Sequence, residues 1–174
     1  MDLVDEKKYI DACKNDLSAF TAIYDEYAQD VYRYCYSLSM EKETAEDAVS
    51  FTFLKAIEKI DQYEFRGKSI KAWLFIIARN QIYKQGRIKE DSYEEILDPP
   101  GESEGILEYL VSEENFSEVL IIIDSLKDQE KEVLRLKIWE ELQFDEIAEI
   151  MEIGVSSVKM RYYRALEKIK EKVS

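Results

Sequence analysis

Residues 144–172 read FDEIAEIMEIGVSSVKMRYYRALEKIKEK. Two helical periods meet in this stretch. In Phe144–Met151 the apolar residues Phe144, Ile147, Ala148 and Met151 recur at three- and four-residue steps. From Ser156 to about Lys172, Val158, Tyr162, Ala165 and Ile169 do the same. Only Glu152-Ile153-Gly154-Val155 separates them, too short a link for anything but a tight turn between packed helices. Short helix, glycine-containing turn and basic second helix together form a helix-turn-helix pattern. Opposite the apolar stripe of the second helix lie Ser157, Lys159, Met160, Arg161 and Arg164, a set suited to a DNA major groove, with Ser156 expected as N-cap. The same pattern also occurs in αα-hairpins that are purely structural, so the rest of the chain has to decide.

Outward from that motif, the periodicity stays helical. Five Gly and two Pro in 174 residues argue against a turn-rich β architecture and for an all-α chain. Phe20, Ile23, Tyr24, Tyr27, Val31, Tyr34, Cys35 and Leu38 predict one helix from about Ser18 to Ser39. Thr44 is placed as the N-cap of a second helix, with Glu46 and Asp47 in its first turn and Val49, Phe53, Ala56, Ile57 and Ile60 along it. Ser69 is placed as the cap of a third, whose stripe is Ile70, Trp73, Leu74, Ile77 and Ala78 and which ends near Gly86. Further on, Phe116–Leu126 reads as helical, and Asp128 caps a helix with Val133, Leu134, Ile138 and Trp139 inward.

The formal charge of −14 argues against nucleic acid when taken whole, but its distribution does not. Residues 66–89 carry Arg66, Lys68, Lys71, Arg79, Lys84, Arg87 and Lys89 with no acid, and 158–174 hold six bases against two acids. Between these islands, residues 90–120 hold eleven acids and no base, together with Pro99, Pro100 and Gly101. Self-repulsion and a Pro-Pro-Gly break describe an extended linker, whose second half, around Ile106 to Val111, has short-helix character. The chain therefore divides into a domain over 1–90, an acidic linker over 91–114 and a domain over 115–174.

Other classes of function find no support in the composition. There is no histidine, which removes imidazole bases, His-based triads and His metal ligands. Cys13 and Cys35 make neither a disulfide framework nor a zinc cluster, and Cys35 falls on an apolar stripe as a packed thiol. No phosphate-binding Gly loop or nucleophile–base pair appears, so an enzyme is not expected, and neither is a cofactor or a metal. No apolar run approaches ~18 residues, and the N-terminus MDLVDEKKYI is too charged for a signal peptide, so a cytoplasmic protein without membrane insertion is expected.

Two motifs resemble one family. TAEDAVSFTFLKA at 44–56 resembles region 2.2 of extracytoplasmic-function (group 4) sigma factors of the sigma-70 family. Phe65-Arg66-Gly67 and the run Ala72 to Asn80, AWLFIIARN, look like regions 2.3–2.4. The stretch from Ser125 to Lys170 is similar to region 4, and the motifs occur in the family's order. The resemblance implies a non-catalytic subunit that binds core RNA polymerase and directs promoter-specific initiation. Glu46, Asp47, Ser50, Phe51 and Lys55 would dock on the β′ clamp helices. Lys68, Lys71, Arg79, Asn80, Lys84 and Arg87 would engage the minus-ten element. The second domain would contact the β flap and read the minus-thirty-five element through Ser156, Ser157, Lys159, Met160, Arg161 and Arg164. An anti-sigma protein is a further partner that the resemblance allows, and the family's linker threads the polymerase cleft.

The chain departs from the family pattern at several positions. Ser50-Phe51 stands where Gln-Glu is usual, with Phe51 expected to be exposed. Lys84 replaces an Asp, Lys127 a Pro, Glu152 the turn Gly, and Gln143 a Ser or Thr cap. Two rival readings remain open on the residues alone: a helix-turn-helix regulator independent of polymerase, and a helical adaptor that binds only protein. The first leaves the basic island around Trp73 and Phe75 without a purpose. The second leaves the order of the motifs unexplained.

Overall fold

The computed structural model describes residues 1–86 and 116–173, and among these the regular structure is entirely helical. The chain forms two compact units, Met1–Glu90 and Asp91–Ser174. Arg87 and the acidic stretch with its expected short helix lie outside the described residues.

In the first unit, α1 (Leu3–Cys13) is capped by the Asp2 carboxylate, which accepts the Val4 and Asp5 N–H groups at 2.9 and 2.8 Å. After a 3₁₀ turn at Leu17–Ala19 come α2 (Phe20–Ser39), α3 (Lys42–Lys59), a second 3₁₀ turn at Ile60–Gln62, and α4 (Ile70–Lys84). Helices α2, α3 and α4 pack mutually. Fully buried Ala45, Ala48 and Ala56 give α3 a thin face that lets its neighbours approach. Tyr34 of α2 stacks on Phe75 of α4 with ring centroids 4.6 Å apart. Cys13 and Cys35 are both free and buried, and burial pushes the Cys35 thiol up to about 12.

Several sequence expectations shift here. Helix α3 starts a turn earlier than expected, with Glu41 as N-cap, so Thr44 is not the cap. Thr44 is buried and donates its hydroxyl to the Glu41 carboxylate. Glu46 and Asp47 therefore sit beyond the first turn, whose acid is Glu43. Val49 and Ile57 are only half-buried, because Ala45, Ala48, Thr52 and Phe53 form the stripe that faces the core. Tyr24 is exposed and Leu38 half-buried, although the Tyr24 ring still meets Phe53 edge-on at 4.8 Å. In α4, Ser69 caps as expected by accepting the Lys71 N–H at 3.1 Å. Trp73 and Ile77 are half-buried, while Phe75 and Ile82 fill the core, so the inward face lies about 100–200° from Trp73.

The second unit comprises α5 (Phe116–Asp124), α6 (Asp128–Leu134), α7 (Phe144–Met151) and α8 (Val155–Val173). Lys127, not Asp128, is the N-cap of α6, and its N–H donates to the Glu130 carboxylate at 3.2 Å. After Leu134 the helix widens into a π turn over Arg135–Trp139, closed by Glu140 N–H to Arg135 C=O at 3.2 Å. That wider turn changes which residues face inward. Leu136 is buried, Ile138 half-buried and Trp139 exposed, which overturns the inward placement of Ile138 and Trp139.

Candidate nucleic-acid interface

Helices α7 and α8 form the helix-turn-helix. Gln143 is the α7 N-cap, and its N–H donates to Glu146 at 2.8 Å, so the usual Ser or Thr is replaced by a contact from the third helical residue. Glu152 ends α7 in the left-handed region, φ 56°, at the position where a glycine is usual. Helix α8 begins at Val155, and the Val158 N–H donates to the Gly154 carbonyl at 3.1 Å. Ser156 is therefore inside the first turn and does not cap it, which corrects the expected N-cap.

The DNA-facing set expected on α8 does not share one face. Ser156 and Lys159 are exposed and Tyr163, a turn further, is half-buried. Ser157 and Met160 are buried, at 8% and 5% exposure, and do not present side chains to a groove in this conformation. Periodicity accounts for the split: Arg161 lies about 200° round the helix from Lys159, and Ser157 about 160°. Arg161 and Arg164 are half-buried on that flank, as is Lys168, whose Nζ reaches Glu130 at 2.7 Å. Two residues outside the expected set stand near Lys159. Tyr163 lies close in angle to Lys159, a placement the 3.6 period makes legible. Lys137, on the π turn, stands 4.8 Å from the Phe144 ring centroid, and Lys159 stands 5.8 Å from the same ring.

On α4, Asn80 is half-buried and Lys84 exposed, both on the face that carries Trp73, whose ring lies 4.8 Å from that of Tyr63. Lys68 is exposed in the preceding loop, where Gly67 takes φ +74°. Two expected DNA contacts are engaged elsewhere. Arg79 is only 6% exposed, with its guanidinium 4.0 Å above the Tyr83 ring. Lys71 is half-buried, and its Nζ pairs with Asp30 of α2 at 2.9 Å. Their helical phase turns both toward the unit and away from the face of Asn80 and Lys84.

On α3, Glu46, Asp47 and Ser50 are exposed and joined by Leu54, 63% exposed, a residue outside the expected docking set. Phe51, expected to be exposed, is half-buried. Lys55 holds its Nζ 5.9 Å from the Phe51 ring and pairs with Glu58 at 2.5 Å. Among the described residues no cluster of Cys, Asp or Glu is arranged to hold a metal, and no helix is long and apolar enough to cross a membrane.

Two family models match the chain: sigma-70 region 2 over residues 23–89 and sigma-70 region 4 over residues 118–169. The chain belongs to the sigma-70 family of sigma factors. It is 31% identical over 155 residues to the ECF RNA polymerase sigma factor BldN of Streptomyces coelicolor, covering 87% of this chain and 59% of BldN. It is 29% identical over 186 residues to the ECF sigma factor SigW of Bacillus subtilis, covering 99% of this chain and 98% of SigW. The sigma factor is put in the extracytoplasmic-function group by the ECF RNA polymerase sigma-E factor of Salmonella typhimurium, 34% identical over 140 residues that cover 73% of this chain and 72% of that protein. Its fold is similar to that of the sigma factor RpoE from Bartonella quintana, solved in complex with the anti-sigma factor NepR. That likeness has a TM-score of 0.62 at 24% identity, over 88% of this chain and 96% of that one. A sigma factor binds core RNA polymerase and directs it to initiate at promoters.

Proposed function

We propose that this sigma factor divides its work among three helices. The exposed α3 face, Glu46, Asp47, Ser50 and Leu54, docks on the β′ clamp helices, with Phe51 and Lys55 at its margin. The α4 face and the loop before it, through Lys68, Trp73, Asn80 and Lys84, with Arg87 following, take the opened minus-ten element. Stacking rings and cations along one strip are what capture of unstacked bases requires. In the second unit, Ser156, Lys159 and Tyr163 of α8 face the minus-thirty-five bases, while Lys137, Arg161 and Arg164 lie toward phosphate. Residues 1–90 then serve as region 2, 91–114 as linker and 115–174 as region 4, which also meets the β flap. The protein contributes recognition and no chemistry of its own, and it works in the cytoplasm beside polymerase. An anti-sigma protein is the natural class of inhibitor, because the Bartonella relative forms such a complex.

The observation that carries this reading is a pair of outward faces, Lys68, Trp73, Asn80 and Lys84 in the first unit and Ser156, Lys159 and Tyr163 in the second, set in the order of regions 2 and 4. Core binding tests the α3 assignment. Glu46→Lys combined with Asp47→Lys is expected to reduce affinity for core polymerase more than tenfold with the helical circular dichroism unchanged. Wild-type affinity in that double variant removes the assignment.

A further inference from the structure

We propose that Glu6 of α1 and Asp30 of α2 are positioning residues for promoter engagement, holding the first turn of α4 where the minus-ten face must begin. The inference rests on the reading of α4 given above. Glu6 precedes the stretch that matches sigma-70 region 2, which starts at residue 23. Glu6 is 1% exposed, and a carboxyl group so placed needs hydrogen-bond partners for its oxygens. Three donors converge on it. The Tyr27 hydroxyl and the Ser69 hydroxyl, the latter at 2.9 Å, bond one oxygen, and the Ile70 N–H bonds the other. Ile70 N–H is one of the donors that the start of α4 leaves without an intrahelical acceptor, and the positive end of the helix dipole favours a carboxylate there. Burial and the Glu6 acceptor push the Tyr27 phenol upward, so it remains a donor throughout the physiological range.

Asp30 completes the hold from the neighbouring helix by pairing with Lys71 at 2.9 Å, with both side chains mostly buried. Three consecutive residues, Ser69 to Lys71, are thus fastened by carboxylates from two other helices. Apolar packing of Leu74, Phe75 and Ala78 supplies cohesion without fixing where along its axis α4 starts. Charge-assisted hydrogen bonds are lost within an ångström of displacement, so the two acids set that position. A buried ion is weak evidence for stability and is best attested as a device that fixes register. Loop 63–69, with Gly67 at φ +74°, is anchored at its far end through Ser69, and everything downstream on α4 moves with that turn.

The test uses the full chain assembled with core polymerase at saturating concentration. The probe is a fluorescent single-stranded oligonucleotide carrying the non-template minus-ten sequence of the strongest promoter found by library transcription. Glu6→Ala and Asp30→Ala are each expected to weaken capture at least fivefold while core affinity stays within twofold of wild type. Tyr27→Phe, which removes one donor, is expected to weaken it about twofold. Ile10→Val in the α1 core, matched for lowered melting temperature, is expected to leave capture unchanged. The proposal is overturned if the two acid variants capture within twofold of wild type, or if Ile10→Val loses as much as they do. Should Glu6→Ala fail to fold, Glu6→Gln and Asp30→Asn decide by the same criterion. Lys84→Ala in the same assay separates the two levels. Normal capture by Lys84→Ala overturns the reading of α4, whereas a defect there with normal Glu6 variants overturns only the positioning role.

Discussion

Lys168 of α8 places its Nζ 2.7 and 2.9 Å from the two carboxylate oxygens of Glu130, the third residue of α6. Glu130 is buried and also accepts the Lys127 N–H, so one side chain caps α6 and fastens α8 to it. A basic residue that reads from sequence as solvent cover for a DNA-binding helix is thus part of its support. Lys168→Ala leaves a buried carboxylate without this cation. With Lys168 itself 43% exposed, the loss is expected at about 1–2 kcal/mol, below the full cost of splitting a buried pair. Amide hydrogen exchange in α6 and α8 is the measurement, and unchanged protection there contradicts the role.

The helix-turn-helix turn holds Glu152 at φ 56°, and nothing lies within 4 Å of where a Cβ would stand on the nearby Gly154. A left-handed backbone costs an L-residue about 1 kcal/mol that glycine avoids. Glu152→Gly is therefore expected to stabilise the second unit by about 0.5–1 kcal/mol, less the added freedom of the unfolded chain. Met40, the 73% exposed left-handed residue that ends α2, should behave alike in the first unit. Thermal unfolding of each variant checks this, and a lowered melting temperature for Glu152→Gly goes against it.

On α4 the half-buried Trp73 and the exposed Lys84 should separate in their effects. Trp73→Ala removes a ring that meets Tyr63 and is expected to cost about 1–3 kcal/mol as well as impair promoter opening. Lys84→Ala should impair opening with no change in stability. Permanganate reactivity of unpaired thymines reads opening directly, and Lys84→Ala opening DNA like wild type contradicts the assignment.

On α8 the outward Lys159 and the flanking Arg161 should differ in kind. Lys159→Ala is expected to relax preference at one minus-thirty-five position by about 1–3 kcal/mol. Arg161→Ala should weaken all sequences evenly and reduce the salt slope by about one. A randomised minus-thirty-five library separates the outcomes. Relaxed specificity in Arg161→Ala with none in Lys159→Ala would assign base reading to the arginine flank instead.

Much of this was legible in the residues. Ser69 as a cap, the α7–turn–α8 pattern and the two basic islands all follow from local chemistry and period. The misplacements have specific causes. Thr44 is a good cap by type, yet it lies three residues inside the helix, and its hydroxyl satisfies Glu41. Trp139 is turned outward by a π turn that no periodic stripe announces. Glu6 has an exposed residue's composition and a buried residue's role, visible only when Ser69, 63 positions away, is beside it.

The central claim is that one chain reads two promoter elements on behalf of polymerase, and reconstituted transcription tests it most directly. Purified protein is combined with core RNA polymerase and a library randomised around both elements, and transcript starts are mapped. The account predicts starts at a fixed distance from two short motifs, with Lys84→Ala lowering output through the downstream motif and Lys159→Ala altering preference only at the upstream one. Starts no different from those of core polymerase alone would contradict it.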